Sequence, residues 1–412
     1  MLYAVGFLGH LINISSTLFT PIYLQEVIKI DKQNAGVING SLSVVVEITI
    51  ICLIGIVGVL SDKKGRKPLL IAGFFLSGIF TLLYGSSHII SMYLGLSKPI
   101  IFVYIFRFLL GASLLFVWPQ VQSMLTDYTF VQGRGKAMAV LGFMFTFASL
   151  FSFIVIAQLP KFLGLNNVFI LLMIIGILSS IICRIKLVDI VHKEEKEKVQ
   201  WKEVFKILKK SACLKISYFV AFTARSDSII LATFVMVWVN KVAAEFGKTP
   251  LEATAEGGMI IGLASIIGMC LYPLWGYLID KIGRLQVLLF GLIFSGTGYV
   301  LTMFVDNPFS IGMKVCAVIF GIGFNGCSVA ATTITSDVAP RNLIGSVLGG
   351  YHTVAAIGIV VFLQAGGILF DRFAHYSPFV LTGLADLLAA FFILGLWKKA
   401  IKEQKMLKET NH

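Results

Sequence analysis

The sequence has 412 residues, of which 57% are hydrophobic and only 13% are charged, and its formal net charge is +13. Soluble domains carry about 25% charged residues, so a soluble fold of this length would lack the polar surface to cover it. The composition therefore excludes an ordinary soluble protein and predicts an all-α polytopic membrane protein. The basic excess would also suit nucleic acid, but its distribution along the chain favours a topological cause.

Apolar runs of about 18 to 25 residues recur along the chain, and each is long enough to cross about 30 Å of hydrocarbon as a helix. The first run is too long for the apolar core of a signal peptide and is expected to be retained. Twelve transmembrane helices are predicted, at residues 2–25, 36–60, 68–87, 100–125, 135–158, 165–186, 212–240, 256–279, 285–305, 309–333, 344–369 and 376–397.

Lys and Arg residues are distributed unevenly between the two ends of these helices. If both termini are cytoplasmic, 24 of the 34 Lys and Arg residues fall on the inner side and 8 on the outer side, with Arg107 and Arg225 inside spans. This bias follows the positive-inside rule. It predicts cytoplasmic termini, with the lipid bilayer and not nucleic acid as the partner. The short loops and bare termini favour the bacterial inner (cytoplasmic) membrane.

A long polar stretch divides the spans into two sets of six. The predicted organisation is a six-helix bundle at 1–186, a cytoplasmic linker at 187–211, a second bundle at 212–397 and a cytoplasmic tail at 398–412. The linker is either a helix that lies on the inner membrane surface or a solvated charged segment. The first alternative depends on one apolar helical face formed by Trp201, Val204, Phe205 and Leu208.

A charged ten-residue motif, "GVLSDKKGRK" at 58–67, joins predicted spans 2 and 3, and a weaker copy, "GYLIDKIGR" at 276–284, joins spans 8 and 9. Two similar six-helix halves are typical of transporters. The glycines would let helices approach closely around a tight turn. Asp62 could cap a neighbouring helix, and Arg66 could bond to a carboxylate. The simpler alternative is a charged stop at the membrane surface.

The motif resembles the loop signature of the major facilitator superfamily, and "RFLLG" at 107–111 resembles that family's Arg-x-x-x-Gly element. The resemblance implies two pseudo-symmetric six-helix bundles and transport by alternating access. It also implies that Asp127 pairs with Arg66, that Asp337 is the counterpart near Arg284, and that these contacts latch the bundles on the inner side. The motif positions are Gly58, Asp62, Lys63, Gly65, Arg66 and Lys67 in the first copy and Gly276, Asp280, Gly283 and Arg284 in the second.

Five ionisable residues lie deep within predicted spans: Glu47, Arg107, Arg225, Asp227 and Asp386. Each costs about 2.5 to 3.5 kcal/mol at the bilayer centre, so each needs a reason to be there. Arg225 and Asp227 lie about 200° apart on a helix and cannot pair unless the helix is broken. The resemblance implies that spans 1, 4, 7 and 10 border a central cavity, which favours Arg107 and one of the span 7 pair as cavity residues. Glu47 and Asp227 either carry a proton or substrate or form interhelical salt bridges, whereas Asp386 is expected to be structural.

The expected function is secondary active transport of a small charged solute, an organic anion or a metal cation, by a proton-coupled monomer. No nucleotide-binding loop, metal-ligand cluster or nucleophile–base arrangement stands out, so no enzyme activity, cofactor or bound metal is expected. One alternative is multidrug efflux, although span 5 lacks the Gly-x-x-x-Gly-Pro-like element of such antiporters. Another is a transporter-like sensor or assembly protein. His10 and His352 are expected to be structural rather than proton relays.

Overall fold

The computed structural model describes residues 1–129, 131–189, 201–340 and 343–410, and within these ranges the side chains of a few residues, Asp62 among them, are not described. The described residues form helices and no strand. Within these ranges, twelve segments are long and apolar enough to cross a membrane, which confirms the predicted number. Spans 1 to 12 are Leu2–Ile28, Lys32–Ser61, Arg66–Gly85, Ile100–Tyr128, Val140–Leu163, Leu165–Lys186, Ala212–Phe246, Pro250–Lys281, Arg284–Phe304, Ile311–Val338, Ser346–Arg372 and Ser377–Gln404.

Most spans are built on one long α-helix. Several of these helices extend beyond the predicted apolar runs, because polar residues continue the helix past the apolar core. In spans 9 and 5 a short 3₁₀ turn, Leu301–Phe304 and Ile156–Gln158 respectively, follows the long helix. The long helices are Ala35–Lys64, Arg66–Gly85, Val131–Ile154, Leu165–Lys186, Pro250–Lys281, Arg284–Val300, Ile311–Val338, Ile344–Arg372 and Ser377–Thr410.

Spans 1, 4 and 7 are broken helices. In spans 1 and 4 the second segment begins with a proline in its first turn, Pro21 and Pro119, where the missing N–H costs nothing but the preceding helix cannot continue. The break in span 7 has no proline and lies at Arg225 and Ser226. The segments are Leu2–Leu18, Thr20–Tyr23 and the π-turn Leu24–Ile28 in span 1, Ile100–Leu115 and Trp118–Tyr128 in span 4, and Ala212–Ala224 and Asp227–Val242 in span 7.

The charged motif is a sharp corner between two helices rather than a loop. The helix Ala35–Lys64 runs through the motif, and the next helix begins at Arg66, so Gly65 alone makes the turn. Gly65 has φ +89° and Gly283, at the same place in the second copy, has φ +112°. L-residues rarely adopt such angles, which explains the glycine at both corners.

For Gly58 and Gly276 the structure describes no close helix approach, so the predicted role of these two glycines stays a prediction. A Cβ added at either glycine would have no described heavy atom within 4 Å. Close approach occurs instead between glycines in mid-span, as in many membrane helix pairs. A Cβ on Gly176 of span 6 would lie 2.7 Å from the Cα of Gly78 in span 3, and a Cβ on Gly383 of span 12 would lie 2.7 Å from the carbonyl oxygen of Gly296 in span 9.

The end of the linker is helical over Trp201–Lys210. Val204 is 3% exposed and packs with Ile207 and Leu208 into a core that includes residues of spans 7 and 12. Phe205, which the predicted apolar face included, is 59% exposed. The linker helix is therefore anchored through part of that face, while residues 190–200 and the side chain of Trp201 lie outside the described part of the chain.

The chain divides into two compact units. The first comprises Met1–Glu195 and Met236–Gly262, and the second comprises Lys196–Val235 and Leu263–His412. The predicted boundaries of the two six-helix bundles and of the linker stay a prediction. The first copy of the charged corner lies within the first unit and the second copy within the second unit. Each contact described below also joins residues of one unit.

Candidate functional site

The corner of the first unit places Arg66 against Asp127. The two side chains form an ion pair and are only 13% and 12% exposed, so a charge-assisted bond at the C-terminal end of span 4 holds the start of span 3. This is the contact that the family resemblance implied. Lys63 is exposed, and the side chain of Asp62 lies outside the described side chains, so its predicted capping role stays a prediction.

Asp189, at the start of the linker, caps the helix that begins at Arg66. Its Oδ2 accepts a hydrogen bond of 3.2 Å from the backbone N–H of Lys67, as an anion does at a helix N-terminus. A Cβ on Gly65 would lie 2.3 Å from the same oxygen. Tyr128, next to Asp127, donates its hydroxyl proton to the carbonyl of Val188. The sequence analysis missed Asp189, whose only signal is a single acid after the basic end of span 6.

The corner of the second unit repeats the ion pair with weaker burial. Arg284 pairs with Asp337, and their side chains are 26% and 42% exposed. Asp280 is exposed, and the Nζ of Lys281 lies 5.4 Å from the centre of the Tyr277 ring. The second copy is therefore also built around an Arg–Asp pair, with more water around it.

Arg107 is buried in the first unit and is held by hydroxyl groups. Its side chain donates to Ser16 Oγ at 3.3 Å and to Thr17 Oγ1 at 2.8 Å, both in the first segment of span 1. The residue is 4% exposed, and its Nε has no hydrogen-bond partner among the described residues. None of the ion pairs in the described ranges involves Arg107. Arg107 is thus a buried cation without a carboxylate partner in the part of the chain that the structure describes.

Arg225 is the residue at the break of span 7, and its guanidinium donates to Ser328 Oγ of span 10 at 3.3 Å. It is half-buried, and it also acts electrostatically on His352 of span 11. Asp227 begins the next helical segment, but its side chain contacts Ser295 and not Arg225, so the two charges do not pair. The predicted separation of this pair holds although the helix is broken between them.

Asp227 contacts spans 9 and 12. The Oγ of Ser295 in span 9 lies 2.9 Å from Asp227 Oδ2 and 2.9 Å from Asp386 Oδ2, and all three residues are 0% exposed. Tyr299 donates its hydroxyl proton to the backbone carbonyl of Asp227 at 2.5 Å. Asp386, expected to be structural, is therefore the acidic neighbour of a residue expected to carry protons or substrate.

Two further intramembrane candidates have separate surroundings. Glu47 is half-buried on the continuous helix Ala35–Lys64 of span 2. The Nε2 of His10 lies 2.9 Å from Ser149 Oγ, and its ring stacks on Phe145. The structure thus brings Asp227 and Asp386 together within the second unit, where Arg225 bonds to Ser328 instead, while Glu47 and Arg107 belong to the first unit.

Comparisons with known proteins place this architecture among transporters. A family model described as Major Facilitator Superfamily matches residues 2–363 and, in a second match, 229–409. The chain is 29% identical to the magnetosome protein MamH of Paramagnetospirillum magneticum over 385 residues, which cover 93% of this chain and 88% of MamH. It is 26% identical to Multidrug resistance protein 2 of Bacillus subtilis over 349 residues, 82% of this chain and 80% of that protein.

A longer relative and a solved structure complete the comparison. The chain is 27% identical to the magnetosome protein MamZ of Magnetospirillum gryphiswaldense over 98% of its own length, but it spans only 63% of MamZ. The crystal structure of the nucleoside transporter NupG superposes with a TM-score of 0.73 at 11% identity, covering 96% of this chain and 98% of NupG. A likeness at that identity shows the fold alone.

Proposed function

Because the chain belongs to the Major Facilitator Superfamily and is an integral membrane protein, we propose that it is a secondary active transporter of a small anionic solute, coupled to protons, with Arg107 as an anion-binding group. The family and the transporter fold support transport over an enzyme activity. The anionic charge of the solute is argued from the surroundings of the two intramembrane arginines.

The observation that carries the proposal is the burial of Arg107 without a carboxylate. A buried charge that lacks an opposite charge is strongly destabilising, whereas hydroxyl groups only solvate it. Ser16 and Thr17 take up two of the guanidinium N–H groups, and Nε remains without a partner in the described residues. A carboxylate or phosphate on a small solute would supply both the missing charge and the acceptor for this planar fork.

Arg225 supports the same charge preference from the second unit. It too donates to a hydroxyl, Ser328, and takes part in no ion pair of the described residues. The nearest acid in sequence, Asp227, is engaged with Ser295 instead. Both intramembrane arginines are therefore solvated by hydroxyl groups, as suits cations that meet a transient counter-ion.

Multidrug efflux is the second candidate, favoured by the similarity to Multidrug resistance protein 2 of Bacillus subtilis. Against it, span 5 contains the run "AMAVLGFMFTFASLFSFIVIAQLP", with one glycine and no proline before Pro160. Drug resistance of cells that express the protein separates the candidates, because efflux raises resistance to lipophilic cations and anion transport does not.

The membrane that holds the protein also belongs to the proposal. The charge bias favours the bacterial inner membrane with both termini in the cytoplasm. The relatives MamH and MamZ are named as magnetosome proteins, which makes a magnetosome membrane the other candidate. A fluorescent fusion, imaged in the native cell beside a marker of the inner membrane, distinguishes a uniform rim from discrete internal bodies.

The test of the anion site is a ligand panel measured by thermal shift on the purified full-length protein. The panel contains organic anions, amino acids, sugars, lipophilic cations and divalent metals. Each ligand is tested on wild type, Arg107→Gln, Arg107→Lys and the control Arg184→Gln, whose arginine lies at the exposed end of span 6. A ligand at about 100 times its Kd stabilises the folded state by about 2.7 kcal/mol. We expect an anion to stabilise wild type and Arg184→Gln, to act weakly on Arg107→Lys, which lacks the fork, and to leave Arg107→Gln unchanged.

Two results would contradict the anion proposal. One is a stabilising anion whose effect persists in Arg107→Gln, which would place its site elsewhere. The other is stabilisation by lipophilic cations or divalent metals alone, which would favour efflux or cation transport.

A further inference from the structure

Three buried side chains in the second unit stand outside the anion site: Asp227 of span 7, Ser295 of span 9 and Asp386 of span 12. Each is 0% exposed, and the serine oxygen lies 2.9 Å from one oxygen of each aspartate. Spans 9 and 12 come this close because Gly296 and Gly383 face each other without side chains. Asp386 lies one helical turn after Gly383, and Ser295 directly precedes Gly296, so the glycine contact sets the two polar groups side by side.

The number of hydrogen atoms restricts the charge of this cluster. A serine hydroxyl has one proton and can donate to only one of the two aspartates. The other 2.9 Å contact is a hydrogen bond only if that aspartate carries a proton and donates it to the serine oxygen. With both carboxyl groups ionised, two negative charges would share one donor away from water, which is costly.

No cation offsets these charges among the described residues. None of the ion pairs in those ranges involves Asp227 or Asp386, and Arg225 turns to Ser328. The titratable groups that act electrostatically on the pair from neighbouring spans are Tyr299 of span 9 and Cys327 of span 10, neither of which is basic. The Tyr299 hydroxyl already donates its hydrogen bond to the backbone carbonyl of Asp227.

The remaining oxygens of both aspartates point to a missing ligand. Asp227 Oδ1 and Asp386 Oδ1 are fully buried and have no hydrogen-bond partner among the described residues. A buried acceptor without a partner costs about 1 to 3 kcal/mol, and more when it is charged, so a proton that neutralises one carboxyl group lowers this cost. All three residues are 0% exposed, which favours a proton over a hydrated ion as this ligand.

We infer that Asp227, Ser295 and Asp386 form a proton-binding site inside the second unit, in which the two carboxyl groups hold one proton between them. Two carboxyl groups that share one proton titrate as a pair, so the bound proton belongs to the site and not to one residue. Asp227 begins the helical segment after the break in span 7, so a movement at that break would change the distance to Asp386 and with it the hold on the proton. Only the use of this proton for coupling rests on the proposed function.

The test is infrared spectroscopy of the full-length protein in lipid nanodiscs, without substrate, as a function of pH. The carbonyl stretch of a protonated carboxyl group is compared in wild type, Asp227→Asn, Asp386→Asn, Ser295→Ala and the control Asp306→Asn, whose aspartate is exposed between spans 9 and 10. We expect one protonated-carboxyl band at neutral pH that is lost or replaced in both aspartate variants, shifts in Ser295→Ala and is unchanged in Asp306→Asn. If Asp227→Asn does not fold, Asp386→Asn and the shift in Ser295→Ala make the same assignment.

Three results of the pH series would overturn the inference. They are a wild-type spectrum without this band at neutral pH, a band that is the same in every variant, and a band that does not titrate between about pH 4 and about pH 10, where carboxyl groups and their strongly shifted forms titrate. Loss of the band on adding a sodium or divalent metal salt at fixed pH would also overturn it, because the ligand would then be the cation. The spectra need no substrate, so a missing band leaves the anion proposal standing, and a failed anion test leaves the band to be judged by itself.

Discussion

Arg107 and Asp227 illustrate two ways of placing a charge inside a membrane protein. Arg107 remains a cation because guanidinium groups do not lose their proton in proteins, and Ser16 and Thr17 solvate it. Asp227 can instead become neutral by taking up a proton, and its contact with Ser295 and Asp386 favours that outcome. Under the proposed function, the first arrangement binds an anionic solute and the second binds a proton. Proton-coupled anion transport needs both.

Substitutions of Asp386 test whether the aspartate pair is held together by a shared proton. Asp386→Asn keeps the shape and one donor of a protonated carboxyl group, and we expect the midpoint of thermal unfolding in detergent to stay near that of wild type. Asp386→Ala removes the partner of Ser295 and leaves a void, and we expect a loss of about 1 to 3 kcal/mol. Equal losses in the two variants would show that the ionised form is the stable one.

The corner at Gly65 ties three elements together at one residue. The end of span 2, the start of span 3 and the first residues of the linker meet there, because Asp189 lies over the glycine and caps the span 3 helix. The Arg66–Asp127 ion pair adds span 4 to the same corner. A displacement of Asp189 at the start of the linker would therefore remove a contact of the charged motif within the first unit.

Gly65→Ala should destabilise the protein for two separable reasons. Alanine in this backbone region costs about 1 to 3 kcal/mol, and its Cβ would also meet Asp189 Oδ2. Gly95→Ala is the matched control, since Gly95 has φ +64° and no described atom lies within 4 Å of an added Cβ. We expect the larger loss of unfolding free energy at Gly65, and part of that excess should disappear when Gly65→Ala is combined with Asp189→Ala. Additive losses in the double variant would show that Asp189 does not lie over the glycine.

The contact between spans 9 and 12 is expected to decide the geometry of the proton site. In Gly296→Val the new side chain would meet the carbonyl of Gly383 and the side chain of Leu387, so the helices must separate. Gly349→Val in span 11 is the control, because a Cβ on that glycine would have no described heavy atom within 4 Å. We expect the free energy of unfolding, measured by thermal denaturation, to fall by about 1 to 3 kcal/mol in Gly296→Val and to change little in Gly349→Val. Equal stability of the two variants would contradict the close packing of these spans.

For the whole molecule, the repeated halves could be predicted from the sequence because their signals are local. Run length gives the twelve spans, and the spacing of glycine, aspartate and arginine gives the two corners. The Arg66–Asp127 and Arg284–Asp337 contacts could be expected through the family resemblance, since each motif residue has a fixed position relative to its helix end. The structural contacts agree with that expectation, while the gating role of the motif remains to be tested.

The neighbours of Asp227 could not be predicted from the sequence. Asp386 and Ser295 are far from it in the chain, and sequence gives no rotational setting for helices that are apolar on all sides. The helix break at Arg225 contains no proline, so the sequence has no signal that predicts it. Asp189 was missed for a similar reason, because a single acid at the start of a charged linker has no local pattern that predicts a cap.

The most direct test of the account is proton movement in proteoliposomes driven by the anion that the ligand panel identifies. A pH-sensitive dye is enclosed in the vesicles, and the anion is added outside to wild type, Arg107→Gln, the Asp227→Asn and Asp386→Asn double variant, and Arg184→Gln. The account predicts an anion-dependent pH change for wild type and Arg184→Gln, no change for Arg107→Gln, and anion binding without proton movement for the double aspartate variant. Proton movement of wild-type size in Arg107→Gln, or anion transport by wild type without any proton movement, would contradict it.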